Sequence, residues 1–129
     1  MITIAKLFYM LIKADGHIDP KELEMGRKMA ELEGFGANDF ERAVDGLVNI
    51  AKAELYVDCV KGLKAFSEQD QTRFLAWMCL IANSDGFMDN TEWNLIYRIY
   101  HKELGLNRQS ILDCQFILKK KIEYTAVLN

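Results

Sequence analysis

Apolar residues recur at spacings of three and four along nearly the whole chain, and strict alternation is rare, so the pattern predicts helices throughout. Ile4, Leu7, Phe8, Leu11 and Ile12 form a first stripe that ends at Gly16. A second helix is predicted from near Pro20, where proline suits the first helical position, to about Gly34. Gly34-Phe35-Gly36 breaks the chain. Asn38 with Glu41 then reads as an N-cap, and Phe40, Ala43, Val44, Leu47 and Ala51 form the third stripe. Tyr56, Cys59, Val60, Leu63 and Phe66 mark a fourth helix, and Ser67 is placed to cap a fifth. That fifth helix is apolar on every side from Phe74 to Ala82, the signature of a helix surrounded by others. Trp93, Ile96, Tyr97, Tyr100 and Leu104 define a sixth that stops at Gly105. Asn107 opens a seventh, with Ile111, Cys114, Leu118 and Ile122 on one face.

The predicted fold is therefore all-α, a single-domain bundle of about seven helices over residues 1–129, with no linker or low-complexity stretch to divide it. A chain of 129 residues with 50 % hydrophobic content can bury enough apolar surface to fold without disulfides. Cys59, Cys79 and Cys114 are odd in number, far apart and set among apolar neighbours, which argues against a disulfide framework and against thiolate metal ligation. A net charge of −3 gives no electrostatic footprint for nucleic acid. The basic run Lys119-Lys120-Lys121 is expected in the last turns of the seventh helix, where cations favour the negative end of the macrodipole. Met1 to Lys6 lacks the basic leader and apolar run of a secretion signal, and Phe74 to Ala82 is too short to span a bilayer, so a cytoplasmic location is expected.

One pattern repeats. Asp15-Gly16, Asp19 and Glu22 recur as Asp85-Gly86, Asp89 and Glu92, an offset of 70 residues. Each copy follows a short apolar helix and precedes a longer one, which predicts two pseudo-repeated helix-loop-helix units. Much of the repeat is explained by local structure. The glycines can take a left-handed conformation that ends a helix, Asp19 and Asp89 are N-caps, and Glu22 and Glu92 stand at the third helical position to complete capping boxes. Ile18 with Leu23, and Met88 with Trp93, are spaced as hydrophobic staples. Asp15 and Asp85 are not explained this way, because an acid after a helix end meets the negative end of its dipole.

The pattern also matches the second half of an EF-hand calcium loop, where Asp, Gly, an apolar residue and Glu stand at loop positions five, six, eight and twelve. The first half is missing, since positions one and three would be Leu11 and Lys13, or Ile81 and Asn83. A metal would thus have to be shared between the copies, and oxygen ligands favour calcium or magnesium over zinc. The candidate metal residues are Asp15, Asp19, Glu22, Asp85, Asp89 and Glu92.

Nothing competes as a catalytic centre. His17 is replaced by Phe87 in the second copy, His101 has no Cys or His at ligand spacing, and Ser67, Ser84 and Ser110 lack nucleophile-elbow glycines. Trp77, Trp93, Tyr97 and Tyr100 are expected on buried faces rather than as a base-stacking platform.

At Ala14-Asp15-Gly16 with Asp19 and Glu22, and at Asp85-Gly86 with Asp89 and Glu92, the chain resembles the TerB-like family. These are small all-helical bacterial domains named for tellurite resistance and found also at the N-terminus of DjlA-type co-chaperones. The resemblance implies a bundle of about seven helices, a role in response to tellurite and related chemical stress, and a paired acidic patch for a divalent metal. Ser84 stands where the first copy has Ala14, and no fused effector domain is expected. The expectation is a non-enzymatic stress-response protein with one shared cation site and an unidentified protein partner, with peripheral membrane association open and no nucleic acid. The alternative is an interaction adaptor in which the same acids are helix caps or docking charges.

Overall fold

The computed structural model describes residues 1–14, 16 and 18–128. Seven α-helices account for most of these residues: α1 (Ile2–Ile12), α2 (Pro20–Leu32), α3 (Ala37–Asp45), α4 (Lys52–Lys64), α5 (Glu68–Ala82), α6 (Asn90–Tyr97) and α7 (Arg108–Leu128). Among the described residues there is no strand, as the helical periodicity predicts.

The apolar stretch of α5 lies at the centre. Leu75, Ala76, Trp77, Met78, Ile81 and Ala82 are inaccessible to solvent. This helix touches α1, α2, α6 and α7. Each large side chain buried there contributes roughly 1.5–3 kcal/mol relative to exposure. Helix α1 forms the second hub and packs on α3 and α4 as well as on α5. It approaches α2 closely because Gly26 has no side chain: a Cβ at that position would collide with the ring of Phe8.

Polar residues tie α5 to the ends of two neighbours. The buried Gln71 amide donates to the carbonyls of Leu63 at 2.8 Å and Phe66 at 3.2 Å, one in the last turn of α4 and one just past its end. At the end of α2, Glu33 accepts two bonds from Arg73, at 2.9 and 3.0 Å, and a third from the Trp77 indole at 3.0 Å. Arg73 also reaches Asp70 at 2.8 Å. The bonds to Glu33, followed by that to Asp70, hold the guanidinium pKa above its usual value. None of this network was anticipated from periodicity, because its members lie on different helices.

Expectations about three of the helices are corrected. Helix α3 is capped by Gly36, without a side-chain bond, and not by Asn38, which lies exposed inside the helix. The helix ends at Asp45, so Leu47 is buried from the following turns and Ala51 is exposed. The sixth apolar stripe is not uniformly α-helical: Arg98–Glu103 is a π-helical stretch, with the Leu104 amide donating to the Ile99 carbonyl at 3.0 Å. Spacings of three and four cannot distinguish one widened turn from an ordinary one. Finally, α7 continues to Leu128, so Lys119, Lys120 and Lys121 lie in its middle, away from the dipole end, and Lys120 rests over the Phe116 ring.

Candidate functional site

The two turns of the repeated motif follow α1 and α5 and lead into α2 and α6. Gly16 and Gly86 both have positive φ, 82° and 87°, a conformation that other residues enter only with strain. Each supplies the reversal that carries the chain from one helix to the next. Leu11 and Ile81, at the positions that a complete calcium loop would fill with its first ligand, are buried core residues. A self-contained calcium cage is therefore excluded in both copies.

The acids of the second copy are bound to backbone. Asp89 Oδ1 accepts from the Glu92 amide at 2.9 Å, and Glu92 Oε1 accepts in return from the Asp89 amide at 3.4 Å, which completes the capping box. Asp85, exposed in the turn, accepts from the Phe87 amide at 3.0 Å. That bond gives Asp85 a structural role which helix capping did not supply, since Asp favours turns by bonding to the backbone two residues on.

In the first copy Asp19 caps α2 but accepts from the Lys21 amide, at 2.7 Å, one residue short of Glu22. The expected reciprocal box is thus seen at α6 and not at α2. Asp15 and His17 lie outside the described residues. Of the two staples, Met88 and Trp93 are both half-buried against the core, whereas Ile18 is 49 % exposed.

Glu22 and Glu92, the last acids of the two copies, are buried, with relative exposures of 5 % and 3 %. An ionised carboxylate is costly to bury without compensation, so its burial at matching positions is the most unusual chemical feature of the motif. The first turn and the helix that follows the second border a common space: Ala14 and Gly16 of the first turn, and Thr91 in the first turn of α6, line one cavity of about 750 Å³. Among the described residues, however, no three or more acidic, histidine or cysteine side chains gather in a way that could hold a metal ion. The donors present are oxygens. Asp19, Asp85 and Asp89 each engage Oδ1 with an amide, which leaves Oδ2 for a further interaction. The Ser84 hydroxyl, beside Asp85 in sequence, is buried with no hydrogen-bond partner among the described residues.

The remaining candidates are structural. Burial pushes the thiols of Cys59 and Cys79 up to about 12, which keeps them protonated and poor metal ligands. Cys114 is only half-buried, and its pKa is raised for the same reason. His101 is exposed and stacks on Tyr97 at 4.9 Å. Trp77 and Tyr100 are buried, and Trp93 and Tyr97 half-buried, so no aromatic platform is presented. No helix among the described residues is long and apolar enough to cross a membrane.

Comparison with known proteins bears directly on the repeated motif. Neither the curated proteins nor the solved structures provide a match. The family described as "Tellurite resistance protein TerB" matches residues 2–113, a span that contains both turns and six of the seven helices in full. With that match over most of its length, the chain belongs to the TerB family.

Proposed function

We propose that this TerB-family protein serves a response to tellurite and related chemical stress without catalysing a reaction, and that its two acidic turns bind a divalent cation. The observation that carries the cation reading is the burial of Glu22 and Glu92 at matching positions of the repeated motif. A bound cation would interact favourably with two carboxylates withdrawn from water, in addition to the partners each has within the protein, and the all-oxygen donor set favours calcium or magnesium. Asp19, Asp85 and Asp89 would add oxygens from the same turns, with Asp15 as the remaining candidate. The Ser84 hydroxyl is a further oxygen of the second turn for which an ion or water would provide a partner.

Thermal melts with chelator, calcium, magnesium and zinc test this reading, repeated on Asp15→Asn/Asp85→Asn. An amide at position 85 can still accept the Phe87 bond, so the double substitution removes charge without opening that turn. A cation at a hundred times its Kd should stabilise the wild type by about 2.7 kcal/mol, and the double variant much less. Melts unaffected by any cation would remove the proposal, and an undiminished shift in the variant would place the site elsewhere.

A second reading is favoured by the capping bonds themselves. Asp19, Asp89 and Glu92 all serve helix starts, so the same acids can be structural parts of an adaptor that binds a protein partner. On that reading chelation leaves stability unchanged, whereas loss of the caps lowers it.

A further inference from the structure

The cavity that the first turn borders extends well beyond it. Its floor is α1, with Tyr9, Met10 and Lys13, and its walls come from α4, including Leu55, Tyr56 and Val57, and from α6 with Leu95. Val48 and Ile50, from the connection before α4, extend the apolar lining. At about 750 Å³ it lies in the range of small-molecule sites, which are apolar in the main with a few charged groups that orient the ligand.

Its charge is one-sided. Among the described residues Lys13, Lys52 and Arg98 line the cavity and no carboxylate does, in a chain where acids outnumber basic residues 19 to 16. None of the three cations is in an ion pair among the described residues, whereas Lys6, Arg27, Lys28 and Arg73 all are. Two of them are held against aromatic rings of the lining: Arg98 lies 4.4 Å from the Tyr56 centroid and Lys13 lies 6.0 Å from that of Tyr9. Glu103 neighbours the Tyr56 phenol, whose pKa is raised by burial first and then by that carboxylate, but Glu103 is not part of the lining.

Helices α1 and α4 run antiparallel, because Thr3 meets Cys59 while Lys6 pairs with Asp58. Lys13 and Lys52 therefore stand at one end of the groove. Arg98 extends the positive charge along the opposite wall.

From this arrangement we infer that the cavity between α1, α4 and α6 binds a small amphipathic anion, an aliphatic chain carrying a single carboxylate. The chain would lie on Met10, Leu55, Val57 and Leu95, and the head would pair with Lys13 and Lys52 or with Arg98. A neutral amphiphile would leave the cations without a partner, and a cationic one would be repelled. This site is independent of the cation reading of the acidic turns, since it uses none of the six acids.

The test is isothermal titration of the full chain with monomeric dodecanoate below its micellar concentration, with amide chemical shifts recorded in parallel. One-to-one binding is expected, with the largest shifts at Met10, Tyr56, Val57 and Leu95. Dodecan-1-ol and dodecyltrimethylammonium should each bind at least about tenfold more weakly, the effect of losing one charge-assisted bond. Lys13→Gln/Lys52→Gln/Arg98→Gln should weaken dodecanoate by about tenfold or more while leaving the melting temperature of the free protein nearly unchanged, since these side chains are in no ion pair among the described residues. Equal affinity for the alcohol, or full affinity in the triple variant, would overturn the proposal. So would adsorption to phosphatidylglycerol vesicles without binding of monomeric dodecanoate, which would make this face a membrane surface instead.

Discussion

The two turns share their acids and their glycine, yet they start their helices differently. Asp89 and Glu92 exchange a reciprocal pair of bonds, whereas Asp19 bonds to Lys21 and leaves the box open. One residue accounts for the difference. Pro20 follows Asp19 and confines its ψ to the range that precedes a proline, and the observed value is 130°, against 167° at Asp89, where Asn90 follows. The first turn thus relies on a rigid proline and the second on a pair of hydrogen bonds. A repeated motif need not repeat its energetics.

The largest effect is expected at Asp89. Asp89→Ala removes one bond of the box and the purpose of the other, and should cost about 2 kcal/mol in urea unfolding, the upper end for loss of an N-cap. Gly86→Ala and Gly16→Ala come next, at about 1–2 kcal/mol each. A Cβ at either position meets no atom within 4 Å, so the cost is that of the left-handed backbone alone and should be equal in the two turns. Asp19→Ala should cost about 1 kcal/mol, because only one cap bond is lost and proline still sets the helix start. A larger loss there than at Asp89 would reverse the comparison.

Smaller effects sharpen it further. Pro20→Asn should change stability by less than about 1 kcal/mol, while slowing hydrogen exchange at the Glu22 amide as the cap bond moves to it. Unchanged exchange at Glu22 would show that proline is not what keeps the box open. Asp85→Asn should fall within about 0.5 kcal/mol of wild type, because the amide oxygen can still accept from Phe87 and the side chain is exposed.

The helices were legible because burial and periodicity are local. The all-around apolar run from Phe74 to Ala82 announced a central helix, and Ser67, Asp89 and Asn107 announced caps that are present, with Asn107 accepting from the Ser110 amide at 3.0 Å. Asp85 is not a helix cap, as expected, and the turn bond it makes to the Phe87 amide was not legible because it depends on the turn around Gly86. The Glu33, Arg73 and Trp77 cluster escaped notice because those residues lie 40 and 44 positions apart, and no period connects them. The π-helical stretch was hidden by apolar spacing that both helix types satisfy.

For this protein the order of amino acids alone determined the number of helices, the central one among them, the two glycine reversals and the family. Those follow from side-chain hydrophobicity and backbone sterics over a few residues. Only the tertiary structure decided that Glu22 and Glu92 are withdrawn from water, and that a cavity between α1, α4 and α6 is lined by three cations in no ion pair among the described residues. Such properties belong to surfaces brought together from distant helices, and they exist only once the chain has packed.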